Sequence, residues 1–531
     1  SVVHIYLYAC IDYFIYLQKE EIIVCLFNVV SCHLCLCYRM KAVEVDQNKI
    51  LLVRNNGEFT AVGGLCSHYG APLIKGTLVG DRVRCPFHGA CFNTKTGDIE
   101  EFPGLDCLPK YKKLKKRVKK MSGRVPGVTH TVVLIGGGPA SLQCAETLRQ
   151  NDYEGRIIMV TKDEQLPLDK TKLSKAMNIE IEKVLLRQND FLQEHGIDVW
   201  TKKEVKSVDT KAKTLTFDDG TDQHYDQLLI ATGGRARPLQ CPGAELENVK
   251  LLESYKDAKE IHQMSAGNKA IIVGTSFIGM EVAAYLSDKA ASVTVIGSSK
   301  FPFQSSLGPD IGKMTMQMLE EKNVKFYTSN GVAEIRGENG KVKEVVLKNG
   351  EVLPADIVIV GIGVIPNSNF LKETSLEIDS RNAVVVDKFM KTNIPDVFAA
   401  GDVVSFPLPL VGHKRVNIGH WQLAQAHGRI AGLSMLNQQV VINTVPYFWT
   451  MLLGKSIRYT GYGEGYTDIV FKGSTEERKF LAFYIKDEEV VAAASLNFDP
   501  AVARLADMLM MGERITKAQA QSDDLSWLQL P

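Results

Sequence analysis

Four side chains between residues 66 and 88 carry the clearest chemical signal in the sequence. Cys66-Ser67-His68 is followed, sixteen residues on, by Cys85-Pro86-Phe87-His88. Two loops that each supply one thiolate and one imidazole can hold a [2Fe–2S] cluster, with both thiolates on one iron and both imidazoles on the other. Exchanging two anionic thiolates for neutral imidazoles raises the reduction potential, from roughly −400 mV in plant-type ferredoxins to about −150 to +300 mV. The competing reading is a tetrahedral Cys₂His₂ zinc site. Zinc fingers pair Cys with Cys and His with His, whereas both pairs here are mixed. The cluster is therefore preferred, with Cys66, His68, Cys85 and His88 as ligands. Cys91 and Cys107 are expected to be packed thiols.

A second chemistry begins at Gly136-Gly137-Gly138-Pro139-Ala140-Ser141. These residues follow an apolar β-like run, Thr131–Ile135, and open a helix-like stretch, Leu142–Gln150. That is the setting a dinucleotide pyrophosphate needs. Gly136 makes the tight turn and Gly138 lets the backbone approach the phosphates at the helix N-terminus. Ser141 takes a position where Gly or Ala eases helix–strand packing. After the next strand, Arg156–Val160, Asp163 can accept from ribose hydroxyls. Two more apolar strands end in small residues, at Ala231-Thr232-Gly233 and at Gly401-Asp402, and the order of these signals points to FAD.

The pattern restarts at Lys269–Val273 with Gly274-Thr275-Ser276-Phe277-Ile278-Gly279-Met280-Glu281, then a helix-like Met280–Ser287 and a strand at Ser292–Ile296. Gly274, Gly279 and Glu281 are the candidates for holding a nicotinamide coenzyme. Ser276 replaces the glycine of closest approach, and Gly297-Ser298-Ser299-Lys300 offers no acid for a ribose 2′-hydroxyl. Lys300 could pair with a 2′-phosphate, so NADH and NADPH both stay open, as does a degraded pocket.

These motifs must be positioned by several domains, and 531 residues suffice for three or four. A net charge of +1 gives no global pull toward nucleic acid. Five of the eleven cysteines lie in the first 37 residues and only Cys144 and Cys241 follow Cys107, which is no secreted disulfide framework. The chain opens on Ser1, so a fragment or incomplete gene product is the expectation. Val2–Leu17 and Ile22–Leu36 are apolar but fall short of the roughly 20 residues of a spanning helix. Neither has the n-region or cleavage site of a signal peptide. Membrane association is not expected. Lys41–Val53 alternates as one strand would, ending at Asn55-Asn56-Gly57. Lys110–Arg124, with seven Lys, two Arg and no acid, reads as a solvated linker standing where a closing strand would be looked for. Short strands and aromatics after Asn443 suggest a final α+β domain.

The loops His68-Tyr69-Gly70-Ala71-Pro72-Leu73 and His88-Gly89-Ala90-Cys91-Phe92 resemble Rieske cluster loops. They lack the extra cysteines of the cytochrome-complex type and so resemble the ferredoxin and oxygenase branch. Together with Gly454-Lys455-Ser456-Ile457-Arg458-Tyr459 and Gly461-Tyr462-Gly463-Glu464-Gly465-Tyr466, they make residues 41–531 similar to the Rieske-containing branch of the apoptosis-inducing-factor family, the apoptosis-inducing factor 3-like proteins. That branch resembles bacterial ferredoxin reductases of ring-hydroxylating oxygenases.

The resemblance implies a role for Asp402 on the FAD ribityl chain. The segment Pro167-Leu168-Asp169-Lys170-Thr171-Lys172-Leu173-Ser174-Lys175 matches one in which Lys170 stands for an arginine at the FAD pyrophosphate. In the same segment Lys175 approaches the flavin ring. Asn417-Ile418-Gly419-His420-Trp421 matches the loop whose His420–Trp421 pair packs by the isoalloxazine, so Lys175 and Trp421 are the catalytic candidates.

The implied fold is an all-β Rieske domain, two doubly wound α/β domains of Rossmann type for FAD and NAD(P), and a small α+β domain. The expected boundaries are 1–39 unassigned, 40–111 Rieske, 112–128 linker, 129–252 with 380–440 for FAD, 253–379 for NAD(P), and 441–531 C-terminal. The implied activity moves electrons from NAD(P)H through FAD to the [2Fe–2S] cluster and on to an unknown one-electron acceptor, in the cytoplasm or mitochondrion, with a homodimer allowed. No Cys-x-x-Cys occurs in the flavoprotein portion, which argues against a dithiol relay. Fully extended, the nineteen residues of Lys110–Val128 would reach about 60 Å. Two alternatives remain: an apoptosis-related signalling protein whose redox sites are regulatory, and a reductase carrying a nonfunctional Rieske remnant.

Overall fold

Two apolar strand runs ending in glycine, at Ile135 and Val273, seed two parallel sheets, and the short β runs before Gly104 make a separate β region. The computed structural model describes residues 39–45, 47–55, 58–110 and 118–528. The apolar stretches before residue 39 and tether residues 111–117 lie outside the described residues. Among those described, no helix is long and apolar enough to cross a membrane.

The chain divides into two compact units. Among the described residues, the first comprises those up to Lys120, with Asp499–Asp507 and 525–528. The run Lys41–Val53 is a hairpin rather than one strand. Met40–Val45 pairs with Asn48–Asn55, and Glu58–Gly63 adds a third antiparallel strand. Gln47, with φ 64°, sits in the reversal. Alternation of apolar and polar residues can continue through so short a turn, which hides it from a pattern reading. Thr77–Val79, Arg82–Arg84, Cys91–Asn93 and Ile99–Glu101 form a four-stranded antiparallel ladder in chain order. Beyond Cys107 the expected closing strand is represented by an isolated bridge from Lys110 to Val62. Asp499–Asp507, assigned from sequence to the C-terminal domain, joins this unit instead because Asp507 pairs with the buried Arg84.

The second unit holds two five-stranded parallel sheets of the same design. One runs Ile197–Trp200, Arg156–Val160, Thr131–Ile135, Gln227–Ile230, Val397–Ala399. The other runs Lys325–Tyr327, Ser292–Ile296, Lys269–Val273, Ile357–Val360, Val249–Leu251. Each carries a three-stranded antiparallel meander, Val205–His224 just before Gln227–Ile230 in the first and Val332–Pro354 just before Ile357–Val360 in the second. Central strands such as Val132–Ile135 and Ile357–Val360 are buried along their length, as parallel strands covered on both faces must be. Val249–Leu251 pairs with Ile357–Val360, so the second sheet begins ahead of the expected residue 253. A five-stranded antiparallel sheet spans Tyr447–Leu496.

Both nucleotide-type helices start earlier than their apolar runs suggest, at Pro139 and Phe277. Proline at the first helical position is preset for the helix and lacks only an N–H that would have no intrahelical partner. Helix Pro139–Gln150 packs on Trp421–Met435, and glycines bring the two together. A Cβ on Gly428 would lie 2.1 Å from the Ala140 carbonyl oxygen, and one on Gly432 3.1 Å from that of Cys144. Gly428→Ala should therefore force the helices apart and lower stability by about 1–3 kcal/mol. The measure is the denaturant midpoint at constant m-value; an unchanged midpoint would show that the contact is slack.

Candidate functional site

The two candidate ligand loops are built alike despite their different Cys–His spacing. In the first, Cys66 N–H donates to Ala71 C=O at 2.8 Å and Gly70 N–H to Cys66 C=O at 2.9 Å. In the second, Cys85 N–H donates to Ala90 C=O at 2.8 Å and Gly89 N–H to Cys85 C=O at 3.2 Å. Gly70 and Gly89, at φ 72° and 79°, supply the left-handed residue each reversal needs. The loops bring the imidazoles together, with Nδ1 of His68 and His88 3.1 Å apart. Two nitrogens on one tetrahedral metal, with bonds of about 2.0–2.1 Å, stand about 3.3–3.4 Å apart, so both rings can serve one iron.

The cysteines form the other end. The Cys66 thiol is held well above its ordinary range by a hydrogen bond with Cys85 and by burial. Paired thiols at one end and paired imidazoles at the other make a two-and-two arrangement that fits two irons. Tyr69 stacks on His68 at 3.9 Å, and the Ser67 hydroxyl donates to the Asp106 carbonyl at 2.6 Å. Cys91 and Cys107 are buried, and burial pushes the Cys91 thiol up to about 12.

In the second unit the first glycine turn fits a pyrophosphate. Gly136 has φ 121° and passes so close to the 227–231 strand end that a Cβ would meet the Ala231 carbonyl oxygen at 2.2 Å. Gly138 caps helix Pro139–Gln150, and a Cβ there would meet nothing within 4 Å, which leaves room beside the helix N-terminus. Ser141 is fully buried and its hydroxyl has no hydrogen-bond partner. Asp163 and Lys170 pair with each other at 3.2 Å. An exposed pair of this kind is worth at most about 1 kcal/mol, so a ligand can readily redirect either.

Gly401, at φ 81°, donates its N–H to His427 Nδ1 at 3.3 Å. Burial pulls His427 down to about 3, so the ring is neutral and its proton sits on Nε2. Burial pushes the Asp402 carboxyl up to about 6, opposed by Lys170. His420 caps helix Trp421–Met435, whose first residue is Trp421. Burial pulls His420 down to about 4, and its Nδ1 is buried without a hydrogen bond. A buried polar atom left so costs about 1–3 kcal/mol, which a polar cofactor edge would remove.

Lys175 meets Glu281. Its ammonium lies 2.7 Å from the Glu281 carboxylate, which also accepts from Ser174 at 2.5 Å and from Thr450 at 2.7 Å. Glu281 is 4% exposed. Glu281 belongs to the expected nicotinamide motif, and its carboxylate pairs with Lys175. Ser174, Thr450, His427 and Gly428 were not singled out from sequence. Only Ser174, adjacent to Lys175, carried a local hint.

The second glycine turn repeats the first. Gly274, at φ 123°, would bring a Cβ to 2.1 Å from the Gly361 carbonyl oxygen, and one on Gly279 would be 2.1 Å from that of Gly274. Ser276 holds φ −99° and ψ −167°, close to the −98° and −177° of Gly138, so the serine preserves the turn. Gly297 is explained by packing: a Cβ would collide with the Thr275 side chain. In the first fold the same contact is reversed, with Gly137 against Thr161. Phe277 meets Phe448 edge to face at 5.0 Å, and Phe448 in turn contacts the tilted His420 ring at 4.7 Å.

Residues 130–428 match the pyridine nucleotide-disulphide oxidoreductase family, residues 36–112 the Rieske [2Fe-2S] domain and residues 447–528 the reductase C-terminal domain. The chain is 44% identical over 519 residues to apoptosis-inducing factor 3 of Mus musculus and of Homo sapiens, covering 92% of this chain and 86% of each relative. It is 30% identical to the ferredoxin–NAD(+) reductase subunit of the benzene 1,2-dioxygenase system of Pseudomonas putida, covering 74% and 95%. Two solved structures are similar in fold. The ferredoxin reductase of the CYP199A2 system of Rhodopseudomonas palustris has TM-score 0.72 at 27% identity, covering 76% of this chain and 99% of that one. Putidaredoxin reductase in its covalent complex with putidaredoxin has TM-score 0.71 at 26% identity, covering 75% and 97%. These matches indicate FAD, NAD(P)H and a [2Fe–2S] cluster as the cofactors. The chain belongs to the pyridine nucleotide-disulphide oxidoreductase family, in its Rieske-containing apoptosis-inducing-factor branch, and is an FAD-dependent NAD(P)H oxidoreductase.

Proposed function

We propose that the chain draws electrons from NAD(P)H at its FAD and delivers them singly to its own Rieske centre, for a separate one-electron carrier to collect. The bound groups supply the redox chemistry: flavin takes a hydride, two electrons with a proton, and can give the electrons up one at a time, while the cluster holds one. The reading is carried by the matched ligand loops and the 3.1 Å approach of the two imidazole nitrogens. Similar reductases are named for small carriers such as rubredoxin and ferredoxin. Here the Rieske domain takes the carrier's first position.

Cys66 and Cys85 are assigned to one iron, and His68 and His88 to the other. Gly136, Gly138, Pro139 and Ala140 cradle the FAD pyrophosphate, with Lys170 supplying charge and Asp163 accepting from ribose. Ala231, Thr232 and Gly233 line the flavin side, Gly401 and Asp402 take the ribityl chain, and His420 and Trp421 border the ring. Gly274 and Gly279 turn the chain around the nicotinamide coenzyme's phosphates. The buried Glu281 carboxylate aims the Lys175 ammonium, which would place a fixed cation beside a bound flavin ring.

Glu281→Gln removes a buried charge-assisted contact worth about 1.5–3 kcal/mol. Stopped-flow reduction of the flavin should slow about ten- to hundredfold, with the FAD content unchanged; an unaltered rate would refute the role given to the pair. Gly138→Ala should leave folding intact, since φ is −98°, yet reduce FAD retention after gel filtration. Anaerobic titration of the holoprotein with NADH and with NADPH should bleach the flavin first and then develop the cluster's EPR signal. Protein that binds zinc at the four ligands, or a cluster that stays oxidised beside reduced flavin, would overturn the proposal.

A further inference from the structure

Arg84 stands immediately before Cys85, on the strand that leads into the second ligand loop, and its side chain is 2% exposed. Burying a guanidinium costs several kcal/mol unless its hydrogen bonds and charge are answered. Nε donates to Asp507 Oδ1 at 2.6 Å, and Nη1 donates to Glu101 Oε2 at 3.0 Å and to the Gly89 carbonyl at 3.0 Å. Asp507, 423 residues away in the chain, is also buried. Its second oxygen accepts from the Thr77 hydroxyl at 3.0 Å, on the strand paired with Arg82–Arg84.

Gly89 follows His88 and closes the ligand loop onto Cys85. Gly89 is held through its N–H by the Cys85 carbonyl and through its C=O by Arg84, and Arg84 is in turn oriented by Asp507. A purely structural reading makes this an ion pair fastening a C-terminal segment to a β ladder. An apolar pair of similar volume would do that as well or better, because desolvation offsets most of the Coulombic gain. The geometry also goes further than fastening. One arm of the guanidinium ends on the carbonyl next to His88, and Nη2 is buried with no hydrogen bond at all. The side chain is thus directed at the loop at the expense of its own saturation.

We infer that Asp507 is a positioning residue of the iron–sulfur centre: through Arg84 it fixes the Gly89 peptide beside His88, and with it the imidazole's orientation and the cluster's reduction potential. The inference rests on the reading that Cys85 and His88 are ligands. It makes the far C-terminal part of the chain a component of the Rieske site.

The test uses the full chain with FAD and cluster loaded, comparing wild type with Asp507→Asn. Chemical reduction with dithionite makes the readouts independent of NAD(P)H. The EPR line shape and the potential from spectroelectrochemical titration are measured beside FAD and iron content. Loss of a negative charge near the cluster favours its reduced form. The potential of Asp507→Asn should therefore rise by about tenfold in the one-electron equilibrium, ~59 mV, with altered line shape and full FAD content. Wild type without a Rieske signal would remove the ligand reading itself. A normal wild type with an unshifted, fully loaded Asp507→Asn would overturn this inference alone. If Asp507→Asn does not fold or does not hold the cluster, Thr77→Val decides, since it frees one Asp507 oxygen without changing charge. A shifted potential upholds the inference and an unshifted one overturns it.

Discussion

At Gly136 and at Gly274 the chain turns from strand to helix against a carbonyl oxygen barely 2 Å from where a Cβ would sit. No side chain can occupy either place. The closeness draws each helix N-terminus back over the end of its sheet, where backbone N–H groups can meet phosphate. Each turn leaves the end of a central strand that is buried along its length, Val132–Ile135 in the first sheet and Ala270–Val273 in the second. The two folds are built to one plan and differ in small reciprocal exchanges. The Gly137–Thr161 contact of the first becomes Thr275–Gly297 in the second, and Gly138 becomes Ser276 with almost the same backbone angles.

Buried charge organises both redox regions, in different ways. Glu281 gathers a lysine, a serine and a threonine, so that one carboxylate is satisfied by three donors and Lys175 is held in one direction. Arg84 divides its donors between two carboxylates and a backbone carbonyl. Neither arrangement is an economical source of stability, because desolvation opposes it. Each fixes a position that an apolar contact would leave loose. The half-buried His420 and the fully buried His427 belong to the same pattern: one offers an unmatched ring nitrogen, the other anchors the Gly401 turn.

Much of the site was legible because its parts are local. A cysteine, a histidine and a left-handed glycine within six residues describe a ligand loop almost completely, and a strand followed by closely spaced glycines describes a phosphate turn. Where sequence reading missed, the missing information was distant or degenerate. Lys41–Val53 looked like one strand since a tight hairpin can preserve alternation. Gly297 looked like the loss of a carboxylate, and it is also the space that Thr275 needs. Glu281 lay inside a recognisable motif, but nothing in that motif says its carboxylate reaches Lys175, 106 residues earlier.

By itself, then, the sequence determined which residues could ligate iron, which turns could approach phosphate, and the order of the domains. Each of these is set by side-chain chemistry and backbone freedom over a few consecutive residues. Tertiary structure alone decided which charges meet. It brought Asp507 to Arg84, Thr450 to Glu281 and Gly428 to Ala140, and it assigned Asp499–Asp507 to the first unit. Such contacts depend on how helices and sheets pack, and packing joins residues hundreds of positions apart that carry no local mark of their partners.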